Sequence, residues 1–149
     1  MGHTYSRIIT HIIFSTQNRI PYLKPDLRGR LFRYMAGIAH GIDARDVTIN
    51  GVTDHVHILM SLPPALSVAD AVKKVKANSS KWAHEERLLP PAFAWQTGYA
   101  AFSVSPSKVE DVVEYIRNQE QHHKKISFQE EYLAFLKAHR IDYDSRYVH

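Results

Sequence analysis

The chain has 149 residues, 44% of them hydrophobic, and its formal net charge at pH 7 is +4. This length suits one domain with a substantial core, and we expect a single domain over residues 1–149. The lack of cysteine excludes disulfides, thiolate zinc sites and cysteine nucleophiles. The apolar runs are too short to span a bilayer and no signal peptide begins the chain, so we expect a cytoplasmic protein without membrane contact.

Hydrophobic patterning in the first half of the chain predicts a strand, a helix and a hairpin. Residues 6–16 are rich in β-branched and aromatic side chains, which is typical of a buried strand. Apolar side chains recur every three or four positions over residues 26–40, which predicts a helix. Residues 46–53 and 55–62 form apolar segments on either side of Asp54, and they predict two strands joined by a turn.

The second half is predicted to be mostly helical. In chain order we expect a helix that begins after Ser67, a strand over residues 94–105, helices over 108–123 and 128–139, and a tail over 141–149 that packs back as an extended arm. The complete order is β-α-β-β-α-β followed by two helices. This order is typical of an α+β, ferredoxin-like antiparallel sheet with helices on one face, to which the C-terminal helices are added.

The predicted strand over residues 55–62 contains a His-x-His pair. Because side chains alternate along a strand, His55 and His57 share one face while Val56 points to the other. The spacing alone carries no information, because ten histidines produce about one such pair by chance. Two interpretations of this pair therefore stay open. The histidines are two ligands of a divalent-metal site, or they lie on a partly exposed sheet face and their imidazoles bond to water or carboxylates.

The predicted helix over residues 108–123 carries a tyrosine and an amide on one flank. Tyr115 and Gln119 are four residues apart and therefore stand one above the other, with His122 beside them. If this helix packs on the histidine strand, two imidazoles, an amide oxygen and a phenol can converge. An amide oxygen would shift the preference of a metal site toward Mg²⁺ or Mn²⁺. The alternative is a tyrosine at the boundary of an amphipathic helix.

A row of basic and hydroxyl side chains lies on the helix that follows Ser67. Such a row is either a solubilising face or an edge that contacts phosphates, and the basic net charge permits a polyanionic partner. The candidate DNA-contacting residues are Lys73, Lys76, Ser80 and Lys81, with Arg19 and Lys124 extending the surface.

Taken together, these segments resemble the single-tyrosine HUH transposases of small bacterial insertion sequences, the IS200-like transposase family. The resemblance rests on the His-Val-His motif at residues 55–57 and, about sixty residues later, on Tyr115 in the context YIRNQEQHH. It also rests on THIIFSTQNR near the start, KANSSKW in the middle and WQTGYAAFSVS before the tyrosine helix. The ordered set covers nearly the whole chain.

The resemblance implies a metal-dependent enzyme that cleaves and rejoins single-stranded DNA. Tyr115 would attack a phosphodiester and form a 5′-phosphotyrosine with release of a 3′-hydroxyl, while His55, His57 and Gln119 hold Mg²⁺ or Mn²⁺. Members of the family act as homodimers, in which the tyrosine helix can complete the partner's site in trans. They recognise hairpins at element ends, which implies association with the bacterial nucleoid.

Several alternatives remain at this stage. His122 or His123 could replace Gln119 as the third ligand, because both lie within one turn of it. The same histidines could serve a phosphodiesterase that activates water instead of a tyrosine. The chain could also be a domesticated or non-catalytic protein that only binds hairpin DNA, like some repeat-associated relatives of the family.

Overall fold

The protein is described here as a computed structural model that covers residues 2–144 and residue 146. Its centre is a four-stranded sheet in the order β2-β3-β1-β4, and every neighbouring pair is antiparallel. The strands are β1 (Ile8–Ser15), β2 (Arg45–Gly51), β3 (His55–Leu62) and β4 (Ala100–Ser103). This order confirms the predicted ferredoxin-like α+β fold.

Helices cover both faces of this sheet. They are α1 (Pro25–Gly41), α2 (Val68–Glu85), α3 (Val109–Arg117), α4 (Gln119–His122) and α5 (Phe128–Ala138), and short 3₁₀ turns occupy Gln17–Arg19 and Pro106–Lys108. Two serine caps that the sequence indicates are present. Ser67 Oγ accepts the N–H of Asp70 at 3.1 Å, and Ser127 Oγ accepts the N–H of Glu130 at 3.2 Å.

Successive side chains of β1 and β3 point to opposite faces of the sheet, and they divide the interior into two layers. Ile12, Phe14, Val56, Ile58 and Met60 join the large core beneath α1 and α2. The intervening side chains face the C-terminal helices, where smaller clusters pack against α3 and α5. A sheet that is covered on both faces can bury polar side chains in its second layer, and both histidines of β3 lie there.

The predicted helix over residues 108–123 is broken in two. Asn118 has φ −96° and ψ 19°, and it separates α3 from α4. The side-chain amide of Asn50 on β2 donates to the carbonyls of Ile116 at 3.0 Å and Arg117 at 3.1 Å. It thereby satisfies carbonyls that a helix end leaves without partners, and α3 can stop at Arg117.

The predicted strand over residues 94–105 is also shorter than expected. Only Ala100–Ser103 pairs as a strand, and Trp95 makes one isolated bridge with Thr16. Gly98 adopts a φ of +90°, which a strand does not accommodate. The side-chain carbonyl of Gln96 accepts the N–H of Ser15, so a side chain replaces part of the backbone ladder.

Two further expectations concern the predicted C-terminal arm and the expected lack of membrane contact. Residues 141–144 are exposed and irregular, and residues 145 and 147–149 of the predicted arm lie outside the described residues. Within the part of the chain that the structure describes, none of the helices combines the length and apolar character that crossing a bilayer requires.

Candidate active site

Strand β3 presents two histidines to the layer formed by the C-terminal helices. His55 and His57 are both fully buried, each with 0% of its surface exposed. The exposure expected in the alternative is therefore wrong, because the C-terminal helices cover this face, whereas the expected bonds from the imidazoles to carboxylates are present. Buried imidazoles require polar partners, and the following contacts supply them.

His123, which follows α4, and Glu131 on α5 complete a group of four side chains. Glu131 Oε1 lies 2.9 Å from His57 Nε2, 3.0 Å from His123 Nε2 and 3.3 Å from His55 Nε2. One potential ligand atom from each of the four residues lies within 4.8 Å of the other three. Three imidazole nitrogens and a carboxylate oxygen at this spacing form a donor set that suits a divalent transition metal.

Each of these imidazoles is also held at its other ring nitrogen. The contacts are His55 Nδ1 to Asp54 Oδ1 at 2.7 Å, His57 Nδ1 to His11 Nε2 at 2.8 Å, and His123 Nδ1 to the Ile126 carbonyl at 2.9 Å. A carboxylate and a carbonyl can only accept, so His55 and His123 carry a proton on Nδ1. Such outer contacts orient histidine ligands in metal sites and direct Nε2 toward the metal.

Burial and neighbouring charges shift the pKa values of these groups in different directions. Burial lowers the pKa of His57 to about 4, although a hydrogen bond to Glu131 opposes it. Burial also tends to lower the pKa of His55, but the bonds to Asp54 and Glu131 outweigh it and raise the pKa above its ordinary value. For Glu131, burial favours the neutral acid, yet the hydrogen bonds from His123, His55 and His57 hold its pKa well below the usual range.

Tyr115 reaches the same group from α3. Its hydroxyl donates to Glu131 Oε2 and lies 3.1 Å from His122 Nε2. Its ring centroid is 5.8 Å from that of His57. Burial, reinforced by the Glu131 carboxylate, raises the pKa of Tyr115 above its ordinary value, so the phenol is protonated in this arrangement.

Gln119 is fully buried at the start of α4, close to the group but outside its four ligand atoms. Its Nε2 lies 3.4 Å from the Tyr115 carbonyl. Its Oε1 has no hydrogen-bond partner among the described residues, which is rare for a buried amide oxygen. A buried amide oxygen without a hydrogen-bond partner is chemically suited to be a metal ligand.

Sequence reasoning missed two contributors, Glu131 and His11. Glu131 lies on a helix that carries no motif, so only tertiary packing reveals its role. His11 had a weak signal. Side-chain alternation in β1 places it on the face opposite Ile12 and Phe14, and the pairing of Ile13 with His57 brings it within reach of that ring.

The proposed DNA-contacting residues lie mostly in the other layer. Lys73, Lys76 and Ser80 line a groove of about 440 Å³ between α2 and residues 94–99. The Lys76 ammonium donates to the Gln96 carbonyl at 2.9 Å and to that of Gly98, and burial lowers its pKa to about 8. Lys76 is therefore half-buried and anchors this loop.

The remaining candidate cations differ in their surroundings. Lys81 is exposed and lies 3.9 Å from Glu85, whereas Arg19 is half-buried in the turn after β1. Lys124 is exposed directly after His123. It is therefore the candidate that lies nearest in sequence to the buried histidine group.

Acid should destabilise the metal-free protein through His11. Burial, followed by the neighbouring His57, lowers the pKa of His11 from 6.5 to about 3. Between these values only the unfolded chain binds the proton, so the stability present above pH 6.5 is lost as the pH falls. We expect His11 to account for about 2 kcal/mol of this loss at pH 5.

Urea unfolding in EDTA at pH 7.5 and pH 5 measures this effect. The His11→Gln variant keeps a polar group beside His57 but cannot titrate, so its loss of unfolding free energy should be smaller than that of the wild type by about 2 kcal/mol. His40→Gln, at the exposed end of α1, is the matched control and should behave like the wild type. Equal pH dependence in the His11→Gln variant and the wild type would refute the prediction.

The chain is similar to proteins of one functional class. Residues 4–119 match the model of the family described as IS200-like transposases. The chain is similar in structure to a candidate transposase of Deinococcus radiodurans R1, with 25% identity and a TM-score of 0.62 over 80% of this chain and 96% of that one. No curated protein matches it significantly.

A second solved structure shows the same fold. It is a REP-associated tyrosine transposase bound to a REP hairpin, with 15% identity and a TM-score of 0.57 over 85% of this chain and 74% of that one. The family match ends at Gln119. His123 and Glu131 therefore lie beyond the matched residues, on the segment that carries the rest of the histidine group.

Proposed function

The chain belongs to the IS200-like transposase family, and from this premise we propose that it cleaves and rejoins single-stranded DNA with Tyr115 as the nucleophile. One observation carries the proposal. The hydroxyl of Tyr115 contacts the same Glu131 carboxylate on which the three imidazoles converge. A nucleophile and a candidate metal-ligand set thus lie side by side within one chain, and the whole chain acts as one transposase domain.

The chemistry follows from the phenol. Its oxygen loses its proton and attacks the phosphorus of a phosphodiester, the bond from phosphorus to the 3′-oxygen breaks, and the leaving 3′-oxygen takes up a proton to become a hydroxyl. The 5′-phosphotyrosine that forms is still a phosphodiester, so attack by a 3′-hydroxyl can rejoin DNA without a nucleotide cofactor. Glu131 Oε2 already accepts a hydrogen bond from the phenol and orients its oxygen.

We propose that His55, His57 and Gln119 hold a divalent cation. The two buried imidazoles and the unpartnered Oε1 of Gln119 fit this role, and His123 and Glu131 are the alternative donors that the structure adds. When bound, Mg²⁺ or Mn²⁺ would polarise the phosphodiester and offset charge on the leaving oxygen. Of the two, Mn²⁺ accepts imidazole ligands more readily.

The proposed partner is single-stranded DNA with hairpin ends. The protein of similar fold that is bound to a REP hairpin supports this class of ligand. A net charge of +4 favours a polyanion. We propose Arg19, Lys73, Ser80, Lys81 and Lys124 as phosphate contacts, with Lys76 as the residue that holds the adjacent loop. Action at the nucleoid as a homodimer is part of the same proposal, with completion of the site in trans by the tyrosine helix of the partner as the alternative to the arrangement within one chain.

The test is a covalent adduct. The protein is incubated with Mn²⁺ and labelled single-stranded DNA from the flanks of its own gene, then run on a denaturing gel. We expect a protein-linked DNA band that EDTA prevents. Oligonucleotides from an unrelated gene serve as the control.

A phosphodiesterase that activates water is the second candidate. The carboxylate of Glu131 and the third imidazole of His123 favour it, since hydrolytic metal sites are rich in such ligands. It would release free DNA ends and leave no protein-linked band. A non-catalytic protein would bind the hairpin and leave the DNA intact.

A further inference from the structure

A cavity of about 580 Å³ lies beside Tyr115. β4, the start of α3 and the last turns of α5 enclose it. Its inner wall is aromatic and consists of His11, Phe102, Tyr115, Phe135 and His139. The mechanism proposed above uses none of this wall except Tyr115.

We propose that this cavity receives one nucleobase of the DNA strand, from a nucleotide next to the phosphate that Tyr115 attacks. This inference rests on the proposed function, because it takes the strand to pass Tyr115. Phe102 and Phe135 pack face to face within this wall, whereas His11 and Tyr115 meet their neighbours edge-on. Phe102 stacks on Phe135 with centroids 5.4 Å apart at 17°, and His139 lies 4.3 Å from Phe102 at 37°. Flat aromatic walls bind bases of any sequence through stacking.

Tyr115 connects the cavity to the reacting atoms. Its ring forms part of the wall, while its hydroxyl contacts Glu131. A phosphate at this hydroxyl would therefore place the base of an adjoining nucleotide at the mouth of the cavity. The volume lies within the range of sites that enclose small organic ligands.

The rim of the cavity carries groups that suit a nucleotide. The hydroxyls of Ser103 and Ser105 can bond to the edge of a base, and Lys108 supplies an exposed cation for the backbone. A smaller cavity of about 330 Å³ also borders Tyr115, and its described lining includes Glu131 but no lysine or arginine. Asp111 also lines the larger cavity, but its charge is offset by Lys108, whose Nζ lies 3.9 Å from Asp111 Oδ2, so the larger cavity is the better site for a nucleotide.

An abasic scan tests the inference separately from catalysis. The protein carries Tyr115→Phe, which keeps the aromatic wall and prevents cleavage. The probe is a labelled single-stranded oligonucleotide from the flanks of its gene, with an abasic unit placed at each position in turn. We expect one position to weaken binding about tenfold, as one stacked base contributes. The mapped cleavage phosphate should adjoin that position.

Two tryptophan variants supply the matched comparison. Ser105 and Ser107 are both exposed and their hydroxyls lie 3.2 Å apart, but only Ser105 lines the cavity. Ser105→Trp should block the cavity and remove the abasic effect, whereas Ser107→Trp should keep it. The inference is overturned if no position stands out, or if both variants respond alike. An adduct assay without a protein-linked band would contradict the proposed chemistry. If the abasic effect persisted in that case, it would still support the base-binding cavity.

Discussion

Replacement of Tyr115 by phenylalanine is expected to abolish the covalent protein–DNA adduct and to lower cleavage by more than about a thousandfold. The variant loses only the hydroxyl that contacts Glu131 and His122. Its ring still packs against Phe135, whose centroid is 5.7 Å away. Binding of single-stranded DNA should therefore change less than about twofold, because phosphate contacts supply most of the affinity. The denaturing gel measures the adduct, and fluorescence anisotropy measures binding.

Tyr132→Phe is the matched control for this experiment. Tyr132 follows Glu131 on α5 but packs against Phe128, with centroids 5.3 Å apart, in the cluster beside β4. Its hydroxyl is not part of the histidine group, so adduct formation should stay near the wild-type level. An adduct that persists in the Tyr115→Phe variant would rule out Tyr115 as the nucleophile.

Removal of the His57 imidazole should eliminate Mn²⁺ binding, with a loss of affinity of more than about a hundredfold. His57 is completely buried and its Nε2 points at the centre of the group. Titration calorimetry of His57→Ala, with circular dichroism to confirm folding, measures the effect. His84→Ala is the control, because His84 bonds to the Phe93 carbonyl far from this group.

The same titration identifies the remaining ligands. Gln119→Ala should lower Mn²⁺ affinity by at least about tenfold if the unpartnered Oε1 is a ligand. A Gln119→Ala variant with wild-type affinity, together with a loss in Glu131→Ala as large as that in His57→Ala, would replace Gln119 by Glu131 in the ligand set. Unchanged binding in His57→Ala itself would contradict the whole metal proposal.

Local patterns in the sequence predict most of the fold. The predicted helices that correspond to α1 and α5, and the two faces of β3, depend on neighbouring residues, and the structure confirms them. The break at Asn118 could not be predicted in this way. It depends on Asn50, which is 66 residues away from Ile116 in the chain and bonds across the fold.

The same distinction between local patterns and contacts of distant residues applies to the candidate site. Its histidine pair and its tyrosine follow from spacing within one strand and one helix. Glu131 and His11 do not, because they meet His57 only through packing of β1 and α5 on β3. The third ligand stays a proposal for the same reason. His122 Nε2 lies 3.3 Å from Glu131 Oε2 and His123 Nε2 lies 3.0 Å from Glu131 Oε1, and both contacts require α5 to pack beside α4.

The bonds between Asn50 and the end of α3 bear on how two chains could share a tyrosine. If α3 packed on a second chain, it would lose these two hydrogen bonds and the packing of Ile116 in its buried cluster. In a symmetric exchange, the equivalent groups of the other chain would remake every one of these contacts. The swapped and unswapped forms would then differ little in energy per chain, while interconversion would require α3 to detach. Protein concentration and the reach of residues 104–108 would therefore set the balance between the two forms.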